Sequence, residues 1–198
     1  MRASAVLLLV LALLCSAASA SLASGGVPNV SPDGKWTVVY SRKNGYGRLD
    51  LIERSNGPRY RMYRSNDSCC QGITWVSPHL LVFVDDYNVK TLDPPTRRVS
   101  RIAGFSDFVV SPNGRWVAGW ANCGGHCAEI VEVVPITGGT CRAFPHRRDQ
   151  DDSYPFFSRD SRKLTVLRQQ FDLKQGEALG PTREVTLPLT KLRPVKGC

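Results

Sequence analysis

Past residue 20 the chain has no long hydrophobic run, and it holds only three histidines. The first absence leaves nothing close to the roughly 20 apolar residues that a membrane-spanning helix needs. The histidines, His79, His126 and His146, stand at no spacing to a serine or cysteine that marks a catalytic triad. The strand-turn-helix nucleophile pattern Gly-x-Ser-x-Gly is missing too; Gly104-Phe105-Ser106-Asp107-Phe108 comes nearest and lacks the second glycine. No Cys-x-x-Cys pair is present, which removes the usual redox-active dithiol. The sequence thus offers no catalytic residue and calls for no cofactor.

What is present begins with an export signal. Arg2 gives the basic start, Ala5 to Leu14 the apolar core, and Ala18-Ser19-Ala20 the small-residue cleavage site. Residues 1–20 are therefore expected to be removed, leaving residues 21–198 as a secreted or periplasmic domain without a transmembrane segment. Cys15 follows Leu13-Leu14, so it lacks the preceding small residue of a lipid-attachment site and belongs to the signal. An oxidising compartment favours disulfides among the remaining six cysteines, Cys69, Cys70, Cys123, Cys127, Cys141 and Cys198.

The organising feature is an internal repeat. Its copies are Val30-Ser31-Pro32-Asp33-Gly34-Lys35-Trp36, Val110-Ser111-Pro112-Asn113-Gly114-Arg115-Trp116 and the more divergent Phe157-Ser158-Arg159-Asp160-Ser161-Arg162-Lys163-Leu164. A fourth, Trp75-Val76-Ser77-Pro78-His79-Leu80-Leu81, lacks the glycine. Proline presets the backbone angle of such a turn, Asp or Asn bonds its own backbone, and glycine takes positive φ cheaply. Period-two alternation follows, as in Trp36, Val38 and Tyr40, which predicts a strand after each turn. Further turns at Ser55-Asn56-Gly57-Pro58, Asp93-Pro94-Pro95-Thr96 and Thr137-Gly138-Gly139 give four strands to a repeat. Turns starting at residues 31, 76, 111 and 158 stand about 45, 35 and 47 residues apart, bracketing the length of a propeller blade.

The Ser-Pro-Asp-Gly turn between a blade's first two strands resembles the repeat of the TolB-like β-propellers, the group that also supplies propeller domains to prolyl-oligopeptidase-type peptidases. The resemblance implies an all-β array of about four four-stranded antiparallel blades, near 27–65, 72–103, 105–145 and 154–193. Gln170 to Pro181 is longer than the usual hairpin, so the last blade is not marked as complete. Four blades either close a small ring, leave an open arc, or are completed by self-association. The Trp-Asp repeat family does not fit, because none of Trp36, Trp75, Trp116 or Trp120 precedes an aspartate. The sialidase Asp-box fails as well, because Asp33 and Gly34 adjoin.

Blade topology then places Cys69 and Cys70 on the same face as Cys123 and Cys127, on adjacent blades. Two disulfides across that face, with Cys141 to Cys198 as a third, are expected; a bridge between neighbouring residues is strained. A zinc site built from Cys69, Cys70, Cys123, Cys127 and His126 is the alternative, which makes the protein a metal-binding extracellular sensor. Asp149, Asp151 and Asp152 invite calcium, but at the spacing of no known loop.

The formal net charge is +9. Arginines such as Arg59, Arg61, Arg64, Arg97, Arg98 and Arg101 protect the outer strands from sheet-to-sheet association, or attract anionic partners. Tyr60, Tyr63 and Tyr87 add aromatic contact surface or pack between blades. The expected function is a non-catalytic protein-binding or scaffold module, with an unrecognised hydrolase-like enzyme as a further alternative. Its partner-face residues are His126, His146, Arg147, Arg148, Asp149, Asp151, Asp152 and Tyr154. The partner is a protein or an anionic cell-envelope polymer, and nucleic acid is not expected for an exported chain.

Overall fold

The structure, a computed structural model, describes residues 29–54, 56–66, 69–105, 107–121, 129–172 and 174–195. The signal segment, Cys123, His126, Cys127 and Cys198 lie outside these residues, and Cys69 is described by its backbone alone.

Four antiparallel sheets follow one another along the chain. The first is β1 (Asn29–Val30), β2 (Trp36–Lys43), β3 (Tyr46–Glu53) and β4 (Arg59–Asn66). The second is β5 (Cys69–Ser77), β6 (Leu80–Asp85), β7 (Asn88–Asp93) and β8 (Arg98–Ala103). The third holds β9 (Phe108–Val110), β10 (Trp116–Ala121), β11 (Ile130–Pro135) and β12 (Cys141–Ala143). The fourth holds three strands, β13 (Gln150–Phe157), β14 (Lys163–Asp172) and β15 (Glu177–Pro188). After the 3-10 turn Leu189–Lys191, the chain doubles back, and β16 (Arg193–Val195) pairs with β12 as a fifth strand of the third sheet. Among the described residues the last blade has three strands, and Arg193, placed in it by the sequence, pairs with Ala143 of the third sheet.

Three of the four repeated turns share one hydrogen-bond network. Ser31 Oγ donates to Asp33 Oδ1 (2.6 Å) and accepts from the Trp36 N–H (2.9 Å), while Gly34 N–H reaches the Ser31 carbonyl (2.8 Å). Ser111, Asn113, Gly114 and Trp116 repeat it, as do Ser158, Asp160, Ser161 and Lys163. Ser161 stands at φ +58° where the turns at Ser31 and Ser111 have glycine.

Three apolar clusters join successive blades, and all have the same polarity. Residues five and seven positions after the turn serine, Trp36 and Val38 or Trp116 and Ala118, face the following blade. The residues between them, Val117 in the third blade and Leu164 and Val166 in the fourth, face the preceding one. By that rule Thr37 and Val39 face away from the array at its start, and Lys163 and Thr165 at its end. Both end faces are more polar than the internal ones. Asp50, opposite Val39 in the ladder, is fully buried between Arg48 (2.6 Å) and Arg59 (2.7 Å). Thr165 shares a hydrogen bond with Thr186 (2.7 Å). Polar outer faces of this kind cap the terminal units of stacked arrays.

Candidate functional site

Among the described residues, the hairpins that join second to third strands, at 44–45, 86–87 and 174–176, lie on the face opposite the serine turns. Tyr46 and Tyr87 stand exposed at this face, at 42% and 56%, and Tyr154 on the innermost strand of the fourth blade reaches 67%. Arg64 lies over the Tyr46 ring at 4.2 Å, and Tyr154 meets Trp120 at 6.1 Å. Tyr87 (φ +61°) and Tyr154 (φ +47°) adopt the left-handed backbone region, as does Cys70 (φ +68°). For bulky side chains that conformation is strained, and such strain concentrates at functional surfaces.

Beneath the rim lies a cluster that the sequence did not single out. Asp85 Oδ2 accepts from Tyr63 Oη (2.6 Å) and from Lys90 Nζ (2.7 Å), and Lys90 also contacts the Tyr63 hydroxyl. It ties the outer strand of the first blade to the second. Burial opposes the Asp85 charge, but hydrogen bonds from Lys90 and Tyr63 outweigh it and hold the carboxyl below its ordinary range. Burial likewise opposes the Lys90 charge, and bonds to Asp85 and Tyr63 raise its ammonium above the usual lysine value. Burial, then the bond to Asp85, keeps Tyr63 neutral to higher pH. The sequence signal for this cluster was an aspartate closing the apolar run Leu80-Leu81-Val82-Phe83-Val84. Tyr63 and Lys90 spend their bonding on Asp85 Oδ2 and on one another, which suits a structural bridge between blades, while the buried Asp85 Oδ1 has no hydrogen-bond partner among the described residues.

The partner-face residues separate. His146 and Asp149 are half-buried, Arg147 and Arg148 are exposed, and Tyr154 is the most exposed of the set. Gln170 donates to Asp149 (2.8 Å) and lowers its carboxyl pKa. Asp151 accepts the Glu129 N–H (2.7 Å); burial and then this neighbouring carboxylate push Glu129 above its ordinary range. Asp152 corrects the sequence expectation. It is fully buried and engages both carboxylate oxygens with Arg168 (2.6 and 2.8 Å), so it cannot belong to a contact surface. The three aspartates thus have three separate partners and do not converge on a cation, and among the described residues no group of three His, Cys, Asp or Glu side chains could hold a metal ion. The zinc set falls largely outside the described residues, and its one described side chain, Cys70, is packed in the core between the first two blades. Cys141 is buried between the second and third blades.

No family model matches the sequence, and no curated protein does. Solved structures do. The chain superposes on the tricorn protease with a TM-score of 0.57 and 17% identity, over 78% of this chain and 17% of that one. On TolB from Acinetobacter baumannii the TM-score is 0.51 at 15% identity, over 86% of this chain and 43% of that one. The fold is that of a TolB-like β-propeller. The propeller domain of the trilobed protease from Pyrococcus furiosus, described as having an open velcro topology, gives 0.54 at 9% identity over 85% of this chain and 55% of that one. The chain therefore spans less than two thirds of each of these structures, and identities so low carry the TolB-like fold across and no activity. Among the described residues no helix is long and apolar enough to cross a membrane.

Proposed function

We propose that this chain is an exported, non-catalytic binding module whose contact surface is the hairpin face carrying Tyr46, Tyr87 and Tyr154. One observation carries the reading: Tyr46 and Tyr87 stand exposed at the hairpin face, Tyr154 is exposed on the innermost strand of the fourth blade, and two of the three sit on strained backbone. Tyrosine with nearby arginine is the composition of binding hot spots, and the partner is a protein or an anionic polymer of the cell envelope.

Export is supported by the leader pattern and by Cys70 and Cys141, buried between blades and placed to form disulfides, bonds that persist in oxidising compartments. The absence of catalysis is supported by the Tyr63-Asp85-Lys90 cluster, the most reactive-looking group on the face, having its tyrosine and lysine donors held on Asp85 Oδ2. Ring completion by a second copy is the weaker arrangement, because the end faces carry Thr37, Asp50, Lys163 and Thr165 where internal faces carry apolar side chains.

The test is cross-linked capture from the host envelope with the wild-type chain, a Tyr46→Ser/Tyr87→Ser/Tyr154→Ser variant, and a turn-face control, Arg115→Gln. Partners retained by the wild type and the control but lost by the triple variant support the reading. Equal capture by all three removes it.

A further inference from the structure

At the hairpin end of the fourth blade, β14 and β15 part around an irregularity between Arg168 and Gln170. The gap is an open hollow of about 440 Å³, lined among others by Arg168, Gln169, Leu179, Pro181 and Arg183. Arg168 and Arg183 are direct partners across the ladder. Like charges placed so are destabilising in a sheet, and nothing in the fold requires the pair.

The two guanidiniums are unlike in their surroundings. Arg168 is 11% exposed and held rigid: Nε and Nη2 bond Asp152, and Nη2 also reaches the Pro145 carbonyl (2.6 Å). Among the described residues its Nη1 has no hydrogen-bond partner. Arg183 is exposed and bonds to no described group. Gln169 Nε2 donates to the Gly180 carbonyl (2.6 Å), bracing the strands across the gap. Two guanidiniums and one buried carboxylate leave the hollow with one uncompensated positive charge, beside the apolar surface of Leu179, which is 42% exposed.

We propose that this hollow binds a carboxylate-bearing ligand, with Arg168 Nη1 and Arg183 as its donors and Leu179 and Pro181 against the carbon skeleton. The excess positive charge calls for an anion, and the apolar surface of Leu179 and Pro181 calls for one carried on a carbon skeleton. Planar guanidiniums suit planar carboxylates. The proposal rests on the hairpin face being the contact surface and names the chemistry recognised at its fourth-blade end. Arg168 is a preorganised donor because Asp152 fixes it, and Arg183 supplies the adaptable half.

The experiment is calorimetric titration of the mature chain with an N-acetylated glutamate hexapeptide, with inorganic phosphate as the second probe. Arg183→Gln is expected to weaken hexapeptide binding about tenfold, as loss of a charge-assisted contact does. Arg115→Gln, which removes the same charge on the opposite face, is expected to change it less than about twofold, in keeping with screening over distance. Absence of hexapeptide binding, equal effects of the two variants, or tighter Arg183-dependent binding of phosphate overturns the proposal. The triple tyrosine variant separates the two readings. If Arg183→Gln has no effect while the tyrosine variant still loses its captured partner, the carboxylate site fails and the contact face stands.

Discussion

Cys141 on the outer strand of the third blade lies directly opposite Val195 of the returning strand β16, which brings the chain to within three residues of Cys198 at that edge. A strand of three residues pairing at a sheet edge has little hold of its own. A Cys141 to Cys198 bond would fix it there.

Cys198→Ser is expected to lower stability by about 2–4 kcal/mol, the usual effect of removing a native disulfide. Non-reducing peptide mapping should recover Cys141 joined to Cys198. Finding Cys141 joined to Cys123 or Cys127 contradicts the arrangement.

The Asp85 cluster makes stability depend on pH at both extremes. Asp85 has a lowered pKa when folded, so its contribution is present above the ordinary value of 3.8 and disappears as pH falls through the lowered one. Lys90 has a raised pKa, so its contribution is present below the ordinary 10.5 and disappears as pH rises through the raised one. Asp85→Asn should cost about 3 kcal/mol, because it leaves a largely buried ammonium without its counter-charge. Denaturant midpoints across pH, compared with the wild type, should converge in strong acid.

Glycine plays a different part in the two best-preserved turns. A Cβ on Gly34 meets nothing within 4 Å, whereas one on Gly114 comes 2.7 Å from Val76 Cγ1 in the neighbouring blade. Both have positive φ, +69° and +67°, so Gly34→Ala should cost about 1 kcal/mol through backbone strain alone. Gly114→Ala should cost more, since it also pushes two blades apart. Thermal melts of the two variants check the order.

The turn chemistry was legible because it is local: a serine, a proline, an Asp or Asn and a glycine each constrain backbone within five residues. Alternation after each turn identified the strands for the same reason. The return of β16 to the third blade was not legible, since Arg193-Pro194-Val195 carries no mark of which edge it joins. Asp152 was misread because a run of aspartates in a loop-like stretch looks solvated. Only the placement of Arg168 sixteen residues on reveals a buried ion pair. Tyr63 was expected to add contact surface or pack between blades, but its partners Asp85 and Lys90 were not legible because they lie in a different blade.

The charge of the hollow follows the same pair. Asp152→Asn should weaken binding of the glutamate hexapeptide while lowering stability by about 3 kcal/mol, since it releases Arg168 from its fixed orientation and leaves a buried charge unbalanced. Titration and denaturant unfolding of the same variant check both signs together.

The central claim, that the hairpin face is the contact surface, is tested most directly by amide hydrogen exchange of the mature chain with and without the partner captured from the host envelope. Protection is expected at residues 44–47, 86–88 and 146–154, with the serine turns at 31–34, 111–114 and 158–161 unchanged. Protection confined to the serine turns would contradict the account.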